Sequence, residues 1–100
     1  MPLVRVCSVD DLKNGEGKVM DVNGEAIALF KIDGKFYAIN NTCLHRGGPL
    51  GEGFLEGDIV TCPWHGWKYN VATGVNPAMP SMKVQTYSVT VQGNDIMVEV

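Results

Sequence analysis

Histidine is scarce in this chain and cysteine nearly so: 100 residues hold two of the first and three of the second. Three cysteines cannot build the multiple bridges of a small disulfide scaffold. Positive charge never accumulates, because the eight lysines and arginines stand singly along the sequence. Without a basic tract the chain fails the electrostatic requirement for binding phosphate backbones, so no nucleic-acid partner is expected. Long hydrophobic runs are missing too. The most apolar stretch, Ala26 to Phe30, ends at Lys31, far short of the roughly twenty residues needed to cross a bilayer. Met1-Pro2-Leu3-Val4-Arg5 lacks the apolar core of a signal peptide, and the expectation is a soluble, cytoplasmic protein with no membrane partner. A chain of this length can bury roughly two thirds of its unfolded surface, which suits one domain spanning residues 1–100.

What the chain does have is concentrated in two short segments. Cys43-Leu44-His45 and, after sixteen intervening residues, Cys62-Pro63-Trp64-His65 each deliver one thiolate and one imidazole from glycine- and proline-rich surroundings. Four such ligands suit a binuclear centre in which the two cysteines hold one iron and the two histidines the other. Both histidines and two of the three cysteines lie in these segments, so no spare ligands exist for another arrangement. Cys7 is left without a disulfide partner in the monomer and reads as a small hydrophobe buried in the first strand. Two other chemistries draw on the same residues. A zinc ion can be held by two cysteines and two histidines, although zinc modules usually pair their ligands in tight knuckles. A Cys62 nucleophile with His65 as base leaves Cys43 and His45 without a role.

Around these segments the chain reads as short strands joined by tight turns. Val4 to Cys7 opens a strand, Ser8 to Leu12 forms a capped helical turn, and Lys18 to Val22 is extended again. Asn23-Gly24 and Asp33-Gly34 favour the positive φ angles of two-residue hairpin turns, and they separate strands at 18–22, 26–32 and 35–39. Ile59-Val60-Thr61 feeds the second ligand segment and Trp67-Lys68-Tyr69 leads out of it. Val84 to Val91 alternates as one strand, Gly93-Asn94-Asp95 turns, and Ile96 to Val100 alternates again. This spacing predicts an all-β fold of small antiparallel sheets forming an incomplete barrel. The loop from Asn70 to Met82 is long for a hairpin connection, and loops of that length in compact domains are usually functional.

The runs Cys43-Leu44-His45-Arg46-Gly47-Gly48-Pro49-Leu50 and Cys62-Pro63-Trp64-His65-Gly66-Trp67-Lys68-Tyr69 resemble the Rieske family, whose signature is Cys-x-His followed by Cys-x-x-His. The resemblance covers the whole chain, and Pro77-Ala78-Met79-Pro80 falls where the family places a loop that shields its cluster. It implies one [2Fe-2S] cluster per chain on Cys43, His45, Cys62 and His65. Gly47, Gly48 and Gly66 would let backbone amides approach the cluster sulfides. Neutral imidazoles in place of two thiolates remove two negative charges from the irons. Reduction is therefore easier than in four-cysteine clusters, and the class spans about −150 to +300 mV against about −400 mV for plant-type ferredoxins. Two ferric ions and two sulfides total +2 and two thiolates −2, so the oxidised holoprotein keeps the chain's net charge of −3 and reduction takes it to −4.

Departures from the respiratory and photosynthetic branch narrow the assignment. That branch carries an extra disulfide whose positions here are Gly48 and Trp64, and a serine donor to a cluster sulfide whose position here is Trp67. Tyr69 keeps a phenol placed to donate to a cysteine sulfur. Loss of the serine implies the lower end of the Rieske range, near −150 mV rather than about +300 mV. The chain is similar to Rieske-type ferredoxins, which carry single electrons from a flavin-dependent reductase to a terminal ring-hydroxylating oxygenase. No histidine remains to build a mononuclear iron site, so the resemblance implies an electron carrier and not an enzyme. The alternative within the family is an accessory subunit such as the small subunit of assimilatory nitrite reductase. Electron transfer implies that His45 and His65 form an exposed end, rimmed by Leu44, Pro49, Trp64, Met79 and Pro80. Trp67 reads as a core or shielding residue, whereas shielding and docking both remain open for Trp64. Arg46 and Lys68 read as ordinary solvated charges.

Overall fold

The computed structural model describes residues 3–22, 24–42, 48–64 and 66–99. Their architecture is organised by a strand with two buried faces. Ala28 and Phe30 point into one core while Ile27 and Leu29 point into another, and none of the four is more than 1% exposed. The unbroken apolar run seen in the sequence is the mark of this position, because a strand covered on both sides has no polar alternate.

In chain order the strands are β1 (Leu3–Ser8), β2 (Glu16–Val22), β3 (Glu25–Ile32), β4 (Lys35–Asn40), β5 (Phe54–Glu56), β6 (Ile59–Thr61), β7 (Lys68–Asn70), β8 (Thr86–Tyr87), β9 (Val89–Gln92) and β10 (Asp95–Glu99). The doubly buried strand is β3, central in an antiparallel sheet of order β2-β3-β4-β8. Asp33 and Gly34, at φ 49° and 80°, make the β3–β4 turn that the sequence predicts. Gly24 has φ 85°; its expected turn partner Asn23 lies outside the described residues.

The second sheet, β1-β10-β9, closes over the core holding Cys7, Leu12, Ile96 and Val98. Cys7 is buried in β1, as expected, just after a register shift that follows Arg5. The turn after β1 is a short 3-10 helix, Val9–Asp11, and the Ser8 amide donates to Asp11 Oδ2 at 2.9 Å.

The stretch predicted as one strand from Val84 to Val91 is two strands in different sheets. Tyr87 pairs with Ala38 of β4, whereas Val89 pairs with Val98 of β10, so the chain changes sheet at Ser88. Alternation is the same on both sides of such a crossing, so periodicity alone does not reveal it.

The third sheet, β5-β6-β7, carries the second ligand segment in the connection between β6 and β7. Val60 and Tyr69 cover the first core from this side, joined by Leu50 from a 3-10 turn, Leu50–Glu52. β5 has no counterpart in the sequence reading, since three residues are too few to show a period. Among the described residues the three antiparallel sheets stay open and no barrel closes, and no helix is long and apolar enough to cross a membrane.

Candidate metal centre

Of the four expected ligands, Cys62 lies within the described residues, whereas Cys43, His45 and His65 lie outside them, as do Leu44, Arg46 and Gly47. The structure gives the stems that present both ligand segments and the groups that meet Cys62.

The first stem is set by two consecutive asparagines at the end of β4. The Asn41 amide donates to the Ala26 carbonyl at 2.9 Å, and the Asn41 carbonyl accepts from the Leu50 amide at 2.8 Å. Its side-chain Oδ1 accepts from the Gly51 amide at 2.7 Å in a buried setting. Asn40 Oδ1 accepts from the Thr42 amide at 2.9 Å, and a bridge between Thr42 and Pro49 closes the neck. The Asn40 amide group also donates to the Tyr87 hydroxyl at 3.4 Å, which itself donates to Glu25 Oε2 at 2.9 Å. Burial raises the Tyr87 phenol above its ordinary range, with Asn40 opposing and Glu25 reinforcing the shift, so it stays a neutral donor.

Asn41 does not stand out in the sequence, where an asparagine two residues before Cys43 looks like turn chemistry. Its value comes from burial. We expect Asn41→Ala to leave the Gly51 amide unpaired and to cost about 1–3 kcal/mol of stability, read as a lowered urea midpoint.

The second stem is a tight turn built on Cys62 itself. Its amide donates to the Trp67 carbonyl at 2.7 Å and its carbonyl accepts from the Gly66 amide at 3.1 Å. Gly66 sits at φ 76°, and this left-handed backbone is the reason for a glycine there. Cys62 is 3% exposed and belongs to the first core. Trp67 packs against the same core in a half-buried position, as expected, and Tyr69 is fully buried.

Gly48, at the exit of the first segment, approaches this turn directly. A Cβ built there would lie 2.6 Å from Cys62 Sγ and 3.2 Å from Trp64 Cγ. The space on that side of Gly48 is therefore filled by a sulfur and a ring.

The proline segment faces the second stem. Asn76, 2% exposed, accepts at Oδ1 from the amides of Ala78 at 2.9 Å and Met79 at 3.1 Å. The Met79 carbonyl accepts from the Met82 amide at 2.8 Å. A cavity of about 650 Å³ lies between Asn76–Met79 and Gly66–Lys68. Asn76 is a second organising residue that the sequence reading passed over, although an Asn-Pro pair is a turn-starting signal. Of the expected apolar rim, Trp64, Met79 and Pro80 are exposed and Pro49 is half-buried.

A buried cysteine sulfur at the head of one loop, touched by the exit of the other, fits a thiolate-ligated cluster. Soft sulfur donors select iron–sulfur chemistry or zinc, and burial away from water suits a redox centre. Comparison with known proteins identifies the class. Residues 3–88 match the Rieske [2Fe-2S] domain, and the chain belongs to that family, with one [2Fe-2S] cluster per chain.

Several similar proteins are ferredoxin components of dioxygenases. The ferredoxin component of biphenyl 2,3-dioxygenase from Rhodococcus jostii (strain RHA1) is 36% identical, over 99% of this chain and 94% of that protein. The ferredoxin of carbazole 1,9a-dioxygenase from Nocardioides aromaticivorans IC177 superposes with a TM-score of 0.89 at 31% identity, covering 98% of this chain and 97% of that one. A ferredoxin chain solved in complex with the reduced oxygenase of a carbazole 1,9a-dioxygenase gives a TM-score of 0.88 at 31% identity, over 96% and 91% of the two chains.

Proposed function

We propose that Cys43 and Cys62 hold one iron and His45 and His65 the other, in a single Rieske domain spanning residues 1–100. The protein then carries single electrons from a flavin-dependent reductase to a terminal Rieske oxygenase, as a ferredoxin component and not as an enzyme. The observation that carries this reading is the Cys62 sulfur, buried at the head of one loop and in contact with Gly48 from the other. The relatives' own roles support it, since they are ferredoxin components of dioxygenases and one is solved bound to its oxygenase. We place the protein in the cytoplasm, where an unpaired thiol such as Cys7 is at home in a reducing compartment.

When bound, the cluster supplies a one-electron couple. The chain's own residues do the rest. Cys62 is held at its backbone by two hydrogen bonds of its turn. Asn41 ties the neck of the first loop to β3, which is rigid because both of its faces are packed. Trp64 and Met79 leave apolar surface in solvent beside this end of the molecule, where a partner can approach. A transient electron-transfer contact is small, below about 1,200 Å².

Protein-film voltammetry across pH tests the reading. We expect a reversible one-electron wave near the low end of the Rieske range, about −150 mV, falling with pH only in alkaline solution. Reduced protein should then drive turnover of a cognate oxygenase. A colourless protein that holds zinc and gives no wave overturns the assignment.

A further inference from the structure

We infer that Trp64 and Gly48 form a clamp that joins the two ligand loops over the Cys62 sulfur, with Trp64 a positioning residue for the cluster in addition to any contact with partners. The inference rests on the reading of Cys62 as a ligand. Each loop is closed at its own stem, the first by the Thr42–Pro49 bridge and the Asn41 bonds, the second by the Cys62 and Gly66 bonds. The Gly48 contact is different, because it crosses from one loop to the other.

A Cβ at Gly48 would meet Cys62 Sγ at 2.6 Å and the Trp64 ring atoms Cγ and Cδ2 at 3.2 and 3.3 Å. Real Cβ atoms do not come that close to sulfur, so the first loop can pass the thiol at this distance only with a glycine. Gly48 is itself buried. Trp64 is 58% exposed, and an indole left largely in water gains little for the core by itself. Its contact with Gly48 gives it a local task, which is to cover the backbone lying against a ligand sulfur. Removal of the ring would uncover that backbone and let water and oxygen reach the thiolate side of the centre. An added methyl at Gly48 would push the loops apart from within.

The two changes make opposite demands on space and share one readout. Holoprotein is purified as wild type, Trp64→Ala, Trp64→Phe and Gly48→Ala, and visible absorbance is followed in air. We expect Trp64→Ala to shorten the life of the cluster by about tenfold, a modest loss of one ring contact, with an unchanged urea midpoint for the β-framework. Trp64→Phe keeps a ring over Gly48 and should restore most of the lifetime. Gly48→Ala should alter the visible circular dichroism of the cluster. A wild-type lifetime in Trp64→Ala, or a fall in its urea midpoint that accounts for the bleaching, overturns the clamp. So does a wild-type visible spectrum in Gly48→Ala; where that variant does not fold, the Trp64 pair decides alone. Cys62→Ala serves as the control for the underlying reading: full cluster content in that variant defeats the ligand assignment itself, whereas the outcomes above defeat only the clamp.

Discussion

Cys62→Ala should give a colourless protein without iron, and Cys7→Ala a protein with its full iron, sulfide and visible spectrum. The two cysteines are matched in burial, at 3% and 5% exposed, so burial alone does not separate them. Their surroundings do. Cys7 sits in β1 among Leu12, Val22, Ile27 and Ile96, on the face of the central sheet opposite to Cys62. Burial is the main cause that raises its thiol above the ordinary range, which keeps it a poor nucleophile near neutral pH. Cys62 instead heads a turn whose next residues are a proline and the exposed Trp64, with a glycine of the other loop against its sulfur.

Replacing Cys7 by alanine removes one buried sulfur and leaves a small void, costing about 1 kcal/mol. On the proposed ligand set, replacing Cys62 would remove half of the thiolate charge on its iron and leave the cluster one ligand short. Iron and acid-labile sulfide analysis beside the absorbance spectrum checks both halves. Retention of iron by Cys62→Ala, or its loss from Cys7→Ala, would reverse the assignment of the two thiols.

The proposed ligand set draws on rare residues, both histidines and two of the three cysteines, and of these four the structure describes only Cys62. Hairpin turns were legible in the sequence. Asp33-Gly34 names its own backbone angles, and the structure places both residues at positive φ. The strand at 26–32 was expected but its burial on both faces was not, although Ala26 to Phe30 lacks the polar alternate that a half-exposed strand would show.

What the sequence concealed is long-range. The sheet change at Ser88 depends on which partner waits on each side, Ala38 for Tyr87 and Val98 for Val89. Asn41 and Asn76 look like loop residues in the sequence and become organising ones only once buried, where an unpaired amide is costly. Gly48 has the same character. The sequence offers it as a place where an amide can reach the cluster, and the structure sets the Cys62 sulfur and the Trp64 ring on its open side.

His65→Cys should lower the reduction potential by roughly 125 mV, half of the gap of about 250 mV between the low end of the Rieske range and plant-type ferredoxins, because one of two neutral ligands becomes an anion. On the proposed ligand set the change would add one negative charge to the cluster, which disfavours the reduced state. It also removes a ring nitrogen that can titrate. If His45 and His65 hold the second iron, as proposed, reduction would lessen the charge drawn from the imidazoles, and the reduced form would hold its proton more tightly. The potential therefore falls as pH rises through the alkaline range, by at most about 59 mV per unit for each proton taken up with the electron. With one imidazole left, that slope should flatten, since only His45 can still release a proton. The substituted position lies between the left-handed Gly66 and the Cys62–Trp67 backbone bond. Voltammetry of the reconstituted variant from neutral to alkaline pH measures both effects together. An unchanged potential with an unchanged slope would mean that His65 does not bind iron, and the second metal would need a ligand that this chain, with two histidines in all, cannot supply as an imidazole.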